Sequence, residues 1–267
     1  MKKRIYDGSQ ITIGILTFNR WKYTKATLEN LLKHTAPSVE IILSDNGSTD
    51  GTVTKLHQFF AQRKKEGSKH QIKIIDNKKN LGIGRAINQI LAKSSRQLFI
   101  KLDNDILVYK DWLYFLWGSY KFFGERFGAC CLEVRNLFGT PEVPKSATAG
   151  HINPIHADLL FEHTTVVNGA PLALPRSFWL KHKFAEDRLY GHEDARFVMK
   201  VAASGLVSGQ IRSSDSWVTH LQGDNAYRKY DLWKLHTSSR GDFDYRKNIS
   251  CLPLDGDGIV AKEVKND

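Results

Sequence analysis

Short β-branched runs closed by polar residues alternate with amphipathic stretches through the first part of the chain. Residues 11–17 read as a buried strand that ends in Thr17-Phe18-Asn19-Arg20. Leu28, Leu31 and Leu32 recur at helical spacing, so 21–34 is predicted to be an amphipathic helix, with Pro37 closing it. A second strand over 39–43 runs into the turn-rich segment 44–51, which offers an N-cap to a helix carrying Val53, Leu56 and Phe60. A third strand is expected at 72–75, then a helix with Ile83, Ile87, Ile90 and Leu91 on one face, then a fourth strand at 97–102. This alternation predicts an α/β fold with a mostly parallel central sheet flanked by helices.

Ligands of such sheets sit beyond the carboxyl ends of the strands. Thr17, Asp45, residues 80–85 and residues 103–105 are all predicted to lie there, so four polar clusters should converge on one crevice.

The second half is less regular. Residues 111–123 should be helical and 127–134 a strand, whereas 136–163 reads as loop-rich, with Pro141, Pro144, Pro154 and scattered His151, His156 and His163. Those histidines read as surface residues rather than metal ligands. A strand is expected within 165–174, a short helix over 176–183, and a helix opened by Leu189-Tyr190-Gly191-His192-Glu193-Asp194 with Phe197, Val198 and Val201 inward. A short strand after Gly205 and the segment 216–221 complete the pattern. With no biased linker, the expectation is a single domain over 1–252. It divides into a regular half over 1–108 and a less regular half over 109–252; the polar stretch 253–267 is a candidate for disorder.

Composition narrows the class without naming a function. Of 267 residues, 41% are hydrophobic and 25% charged, as in ordinary soluble proteins, and no apolar run is long enough to span a bilayer. No secretory signal pattern is visible near the start, and Cys130, Cys131 and Cys251 suit neither a disulfide framework nor a zinc site, so a reducing cytoplasmic compartment is expected. The net charge of +11 points to anionic partners such as nucleotides or anionic lipid headgroups. The basic run through Arg63, Lys64, Lys65, Lys69, Lys73, Lys78 and Lys79 reads first as a solvated face.

The chemistry concentrates at Lys101-Leu102-Asp103-Asn104-Asp105. Two carboxylates at the mouth of a buried strand repel each other unless a cation or a donor lies between them. A magnesium or manganese ion carrying a phosphorylated ligand answers that need; a polar turn with solvated aspartates is the plainer alternative. Glu193 and Asp194 likewise admit two readings, since acids in a first helical turn also complement the helix dipole.

Taken in order, Thr17-Phe18-Asn19-Arg20, Asp45-Asn46-Gly47-Ser48-Thr49-Asp50, Asn80-Leu81-Gly82 with Ala86 and Asn88, Asp103-Asn104-Asp105, Gly191-His192-Glu193-Asp194 and His220 resemble the inverting nucleotide-sugar glycosyltransferases of family 2, with the GT-A fold. The likeness covers roughly residues 11 to 221. Asn46 departs from the family's frequent second aspartate, and the Gln-x-x-Arg-Trp signature of processive synthases is missing, which favours single addition over polymerisation.

The resemblance implies a donor site of Thr17, Asn19, Arg20, Asp45, Asn80, Gly82, Arg85, Asp103 and Asn104. Asp45 would meet the base, Arg85 base or phosphate, and Asp103 the ribose. It implies a metal held by Asp105 and His220 with Asp103, Mn2+ or else Mg2+, because imidazole suits manganese. It makes Asp194 the base that deprotonates the acceptor hydroxyl, with Glu193 holding acceptor hydroxyls. Trp217 and residues 222–230 would border the acceptor. The implied partners are a nucleotide sugar, UDP-linked by preference, and a glycan or lipid-linked acceptor of the cell envelope, with peripheral contact to an anionic inner membrane face. No nucleic-acid motif appears, so no nucleic acid is expected. The rival readings are a sugar-nucleotide nucleotidyltransferase, disfavoured by the absence of glycines after the first strand, a non-catalytic nucleotide- or nucleic-acid-binding protein, and a retaining relative.

Overall fold

The computed structural model describes residues 6–135, 152–156, 159–164, 167, 169–187, 193–212 and 217–221. Its first half follows the predicted alternation: β1 (Ile11–Thr17), α1 (Trp21–His34), β2 (Glu40–Asp45), α2 (Thr52–Lys65), β3 (Gln71–Asp76), α3 (Ile83–Lys93) and β4 (Leu98–Asp103). β5 (Ile106–Leu107), α4 (Trp112–Phe123) and β6 (Phe127–Arg135) follow. The later elements are β7 (Ile152–His156), β8 (Leu159–His163), β9 (Leu172–Pro175), α5 (Arg176–Lys181), α6 (Glu193–Ala203), β10 (Val207–Arg212) and β11 (Trp217–His220).

Among the described residues one sheet runs in the order β3-β2-β1-β4-β9-β6-β10-β8-β7, and β11 pairs with β5 and β6. The four strands of the first half are parallel, and their register sets Thr17 opposite Asp45, Asp45 opposite Asp76, and Leu16 opposite Asp103. Their carboxyl ends are therefore level, which places the polar residues that end each strand side by side.

Side chains alternate between two cores, as the two-residue period of a strand requires. Ile13, Ile41, Ile100 and Leu102 pack with Leu28 of α1, Leu56 of α2 and Phe115 of α4. Ile42 and Phe99 pack on the other face with Ile87 of α3, Phe178 of α5 and Phe197 of α6. Burying each such side chain is worth about 1.5–3 kcal/mol, so the two cores fix which helices cover which face. Gly14 lies where a Cβ would collide with the Phe99 ring and Ile90, so β1 can pass under α3 only without a side chain there.

Two expectations for the second half need correction. The segment read as loop-rich contains the antiparallel hairpin β7–β8, with Pro154 inside β7. The strand expected within 165–174 begins at Leu172, and it runs antiparallel between β4 and β6. α5 also ends two residues earlier than expected. His163 packs edge-on to Phe123 and Phe161, and Cys130 and Cys131 are buried thiols. His151, Leu189 to His192, Cys251 and the tail from 253 fall outside the described residues. No helix among the described residues is long and apolar enough to cross a membrane.

Candidate active site

The loops that leave the four parallel strands are stitched together by their own polar side chains. After β1 the chain turns through Asn19 (φ 55°) and Arg20 (φ 63°), both left-handed. That turn is held from the β2 loop: the Asn19 N–H donates to Ser48 Oγ at 2.6 Å, and the Thr49 N–H donates to Asn19 Oδ1 at 2.8 Å. Asn104, beyond β4, donates to Thr24 Oγ1 at 2.9 Å and to Thr17 Oγ1 at 3.3 Å. The β3 loop joins through Asn46, whose amide donates to Asn80 Oδ1 at 2.9 Å and whose oxygen accepts from the Leu81 N–H at 3.0 Å. Asn80 Oδ1 also accepts from the Gly82 N–H, setting Gly82 (φ 84°) at the start of α3.

Asp45 is fully buried and faces its own loop: it accepts from the N–H groups of Gly47 and Ser48 and, at 2.6 Å, from Ser48 Oγ. Burial pushes its carboxyl up, against the pull of those donors. Arg85, on the first turn of α3, pairs with Glu186 at 3.3 Å. Its neighbour Asn88 uses every donor and acceptor it has: it donates to Phe184 O and Glu186 Oε1 and accepts from Trp179 Nε1 and the Phe184 N–H. α3 thus anchors the loop that leads towards α6.

Asp105 is the focus of positive charge. Arg20 donates to its Oδ2 at 2.8 Å, and His220 Nε2 lies 3.3 Å from the same oxygen. Strand pairing explains how His220 reaches it, since β11 runs antiparallel to β5 with His220 opposite Ile106, and the Leu221 N–H bonds to Asp105 O at 2.8 Å. Burial works to raise the Asp105 carboxyl, yet the charges of His220 and Arg20 outweigh it and hold the group well below the usual carboxylate range. Asp105 and His220 form an oxygen–nitrogen donor pair of the kind manganese accepts. No third His, Cys, Asp or Glu joins them among the described residues.

Asp103 turns the other way. Its Oδ1 accepts from Lys101 Nζ at 3.0 Å, and the same ammonium donates to Asp194 Oδ2 at 2.9 Å and to Gly169 O at 2.9 Å. The acidic motif after β4 and the Glu193-Asp194 pair on the first turn of α6 therefore meet across one buried cation. Asp194 Oδ1 is buried and has no hydrogen-bond partner among the described residues. Burial pushes the Asp194 carboxyl up to about 7, Lys101 opposing the rise and Glu193 and Asp103 adding to it. Lys101 is itself held well above its usual range, because Asp103 and Asp194 outweigh the cost of burying it.

Of the residues expected in the site, Thr17, Asn19, Arg20, Asp45, Asn80, Gly82, Asn104, Asp105 and His220 belong to one bonded network, and Asp103 and Asp194 to a second centred on Lys101. Arg85 is tied to Glu186 instead, and Glu193 is half-buried on α6. Trp217 carries Arg135 over its ring at 4.3 Å and leans on Tyr109 at 5.1 Å, so it braces β11. Residues 222–230 lie outside the described residues. Sequence reasoning gave no site role to Ser48, Thr24, Lys101 or Gly169. Only Lys101 carried a signal, as a charge inside an otherwise apolar strand. A hollow of about 330 Å³ lined by Glu29, Leu32, Lys33, Arg63, Ser68 and His70 lies at the opposite ends of these strands and gathers no such chemistry.

Comparison with known proteins agrees with this layout. Residues 12–164 match the family described as Glycosyl transferase family 2. An uncharacterized glycosyltransferase of Haemophilus influenzae is 28% identical over 103 residues, which make up 39% of this chain and 30% of that one. Among solved structures, a mannosyltransferase from Pyrobaculum calidifontis, in complex with GDP-Man and Mn2+, superposes with a TM-score of 0.65 at 18% identity over 85% of this chain and 60% of its own. TarS 1-349 of S. aureus superposes with a TM-score of 0.61 at 18% identity, over 90% of this chain and 68% of its own. GalNAc-T7 with UDP, GalNAc and Mn2+ gives 0.62 at 17% identity, over 79% of this chain and 44% of its own. The matched region covers only part of the length of each of these proteins. At such identities the superpositions establish a shared GT-A architecture.

Proposed function

The chain belongs to glycosyl transferase family 2, and from that premise we propose that it is a metal-dependent, inverting enzyme. It would move one sugar from a nucleoside-diphosphate sugar, UDP-linked by preference, to a hydroxyl of a glycan or lipid-linked acceptor. The observation that supports the reading is the convergence of Asp103 and Asp194 on the Lys101 ammonium, which joins the acids that end β4 to the acids that open α6.

The donor's nucleoside would lie over the β1, β2 and β3 loops, among Asn19, Asp45, Asn80 and Gly82, with Asp103 towards the ribose. Arg20 stands beside Asp105 and can turn its guanidinium to the diphosphate. Asp105 and His220 would hold Mn2+ or Mg2+, which as a Lewis acid supplies several kcal/mol of stabilisation to the departing diphosphate.

On the α6 side, Asp194 Oδ1 takes the proton of the acceptor hydroxyl. The oxygen freed by that transfer bonds to the anomeric carbon as the bond to the diphosphate breaks, and the diphosphate leaves with the electron pair. Attack from the face opposite the leaving group inverts the anomeric centre. Glu193, beside Asp194, would hold neighbouring acceptor hydroxyls. The division into a donor half over 1–108 and an acceptor half over 109–252 belongs to the same proposal. So does a cytoplasmic place of work, with the basic surface against an anionic inner leaflet.

The test is a panel of UDP-, GDP- and dTDP-sugars, screened by thermal shift and by nucleoside diphosphate release with Mn2+, with Mg2+ and with chelator. A specific donor raises the melting temperature by mass action and is turned over only with metal. Stabilisation by no nucleotide sugar, or turnover undiminished by chelator, overturns the proposal.

A further inference from the structure

Lys101 occupies a position that a packed strand would fill with an apolar side chain. It follows Phe99 by two residues, so it points to the face of β4 covered by α3, α5 and α6. Its side chain is 4% exposed, and its three donors meet three acceptors: Asp103 Oδ1, Gly169 O and Asp194 Oδ2. A buried ammonium is costly unless it is paired and hydrogen-bonded, and here each N–H has its own partner.

Gly169 adds an independent observation. A Cβ at this position would sit inside contact distance of Asp194 Oδ2, 2.9 Å from its Cγ and 3.4 Å from Lys101 Nζ. The space that lets the Asp194 carboxylate reach the ammonium exists because residue 169 lacks a side chain. With Oδ2 held, Oδ1 is the oxygen of Asp194 left without a partner among the described residues.

We propose that Lys101 is a positioning residue for sugar transfer: with the gap at Gly169, it clamps Asp194 Oδ2 against β4, presents Oδ1 alone to the acceptor hydroxyl, and ties the base to Asp103 on the donor side. This inference rests on the reading of Asp194 as the base. The clamp fixes the proton-accepting oxygen relative to the strand that ends in the donor-binding acids, so donor and base keep one spacing. A misplacement of about 1 Å can cost on the order of 10²-fold in rate.

The experiment uses the full chain and three variants, Gly169→Ala, Lys101→Met and Asp194→Asn. Turnover is measured with whichever nucleotide sugar the wild type hydrolyses fastest. The lysine Nζ resonances are recorded by 1H–15N NMR, in which a buried, triply bonded ammonium is protected from exchange and solvated lysines are not. Gly169→Ala displaces only the far end of the Asp194 side chain, so it should keep its melting temperature and donor KM, lose about 10- to 100-fold in kcat, and shift or broaden the protected ammonium signal. Lys101→Met should remove that signal and lose kcat comparably; if it does not fold, Gly169→Ala decides alone.

A wild type with no protected ammonium, or a Gly169→Ala protein with unchanged kcat, overturns the clamp. So does a loss of kcat matched by a fall in stability and a rise in donor KM. Asp194→Asn separates the two levels: if it turns over normally, the base assignment fails, whereas if it is inactive while Gly169→Ala is fully active, only the clamp fails.

Discussion

Replacing Asp194 by Asn is the sharpest perturbation of the proposed reaction, because it keeps the shape of the side chain and removes its basicity. In Asp194→Asn the amide oxygen could still accept from Lys101 Nζ, where Asp194 Oδ2 now does at 2.9 Å. The position opposite, occupied by the unpartnered Oδ1, would then carry an amide nitrogen that cannot take a proton. A positioned general base is worth about 10²–10⁴-fold, and the variant should lose kcat and kcat/KM by that factor. At about 1.36 kcal/mol per decade, this is about 2.7–5.4 kcal/mol of barrier. The pH profile supplies a second readout. Burial pushes the Asp194 carboxyl up to about 7, and only the deprotonated form can act, so wild-type kcat should fall on the acid side of about pH 7, approaching tenfold per unit. Lys101 favours the charged form while Glu193 and Asp103 disfavour it, so the position of that limb reports their balance. The assay is nucleoside diphosphate release at saturating nucleotide sugar and Mn2+, with donor affinity measured separately by calorimetry. Wild-type turnover in Asp194→Asn, or the same acid limb in both proteins, would refute the reasoning.

Arg20→Ala removes the guanidinium that pairs with Asp105 Oδ2, leaving His220 Nε2 beside the same oxygen. A charged hydrogen bond of this kind is worth about 1.5–3 kcal/mol, so the melting temperature should drop by roughly 3–12 °C, with Mn2+ restoring more of it than in wild type; an unchanged melting curve would show that Arg20 is no counter-charge. Gly84→Ala would drive a Cβ into Ala185 O and displace the loop before α6. Overpacking there should cost about 1–3 kcal/mol and lower kcat more than donor affinity, measured by urea unfolding and steady-state kinetics. Asn88→Ala orphans Trp179 Nε1 and the Phe184 N–H, at about 1–3 kcal/mol each. Unfolding midpoints within experimental error of wild type would mean that those donors find other partners.

The end of the site built by β1 to β4 could be read from residues in a row because it is local. β1, β2 and β4 end in Thr17, Asp45 and Asp103, which are also site residues, so finding those strands finds that part of the site. The rest of the site is assembled from pairings that no short window contains. β9 enters the sheet antiparallel between β4 and β6, and β11 brings His220 to Asp105 by pairing with the two-residue β5. Pro154 argued against a strand where β7 forms. The motif around Asp194 was recognisable, but the choice between capping and catalysis was not, since both put acids in a first helical turn. The contacts of its carboxylate speak to that choice. One oxygen is taken by a lysine from another element and the other has no partner among the described residues, whereas a cap would spend them on the helix's own N–H groups. Lys101 shows what a sequence can demand without resolving. A cation at a position with the period of a buried face, between Ile100 and Leu102, requires an anion from across the sheet. Only the placement of α6 on that same face, fixed by Phe197 and Val198 packing against Phe99, makes the anion Asp194.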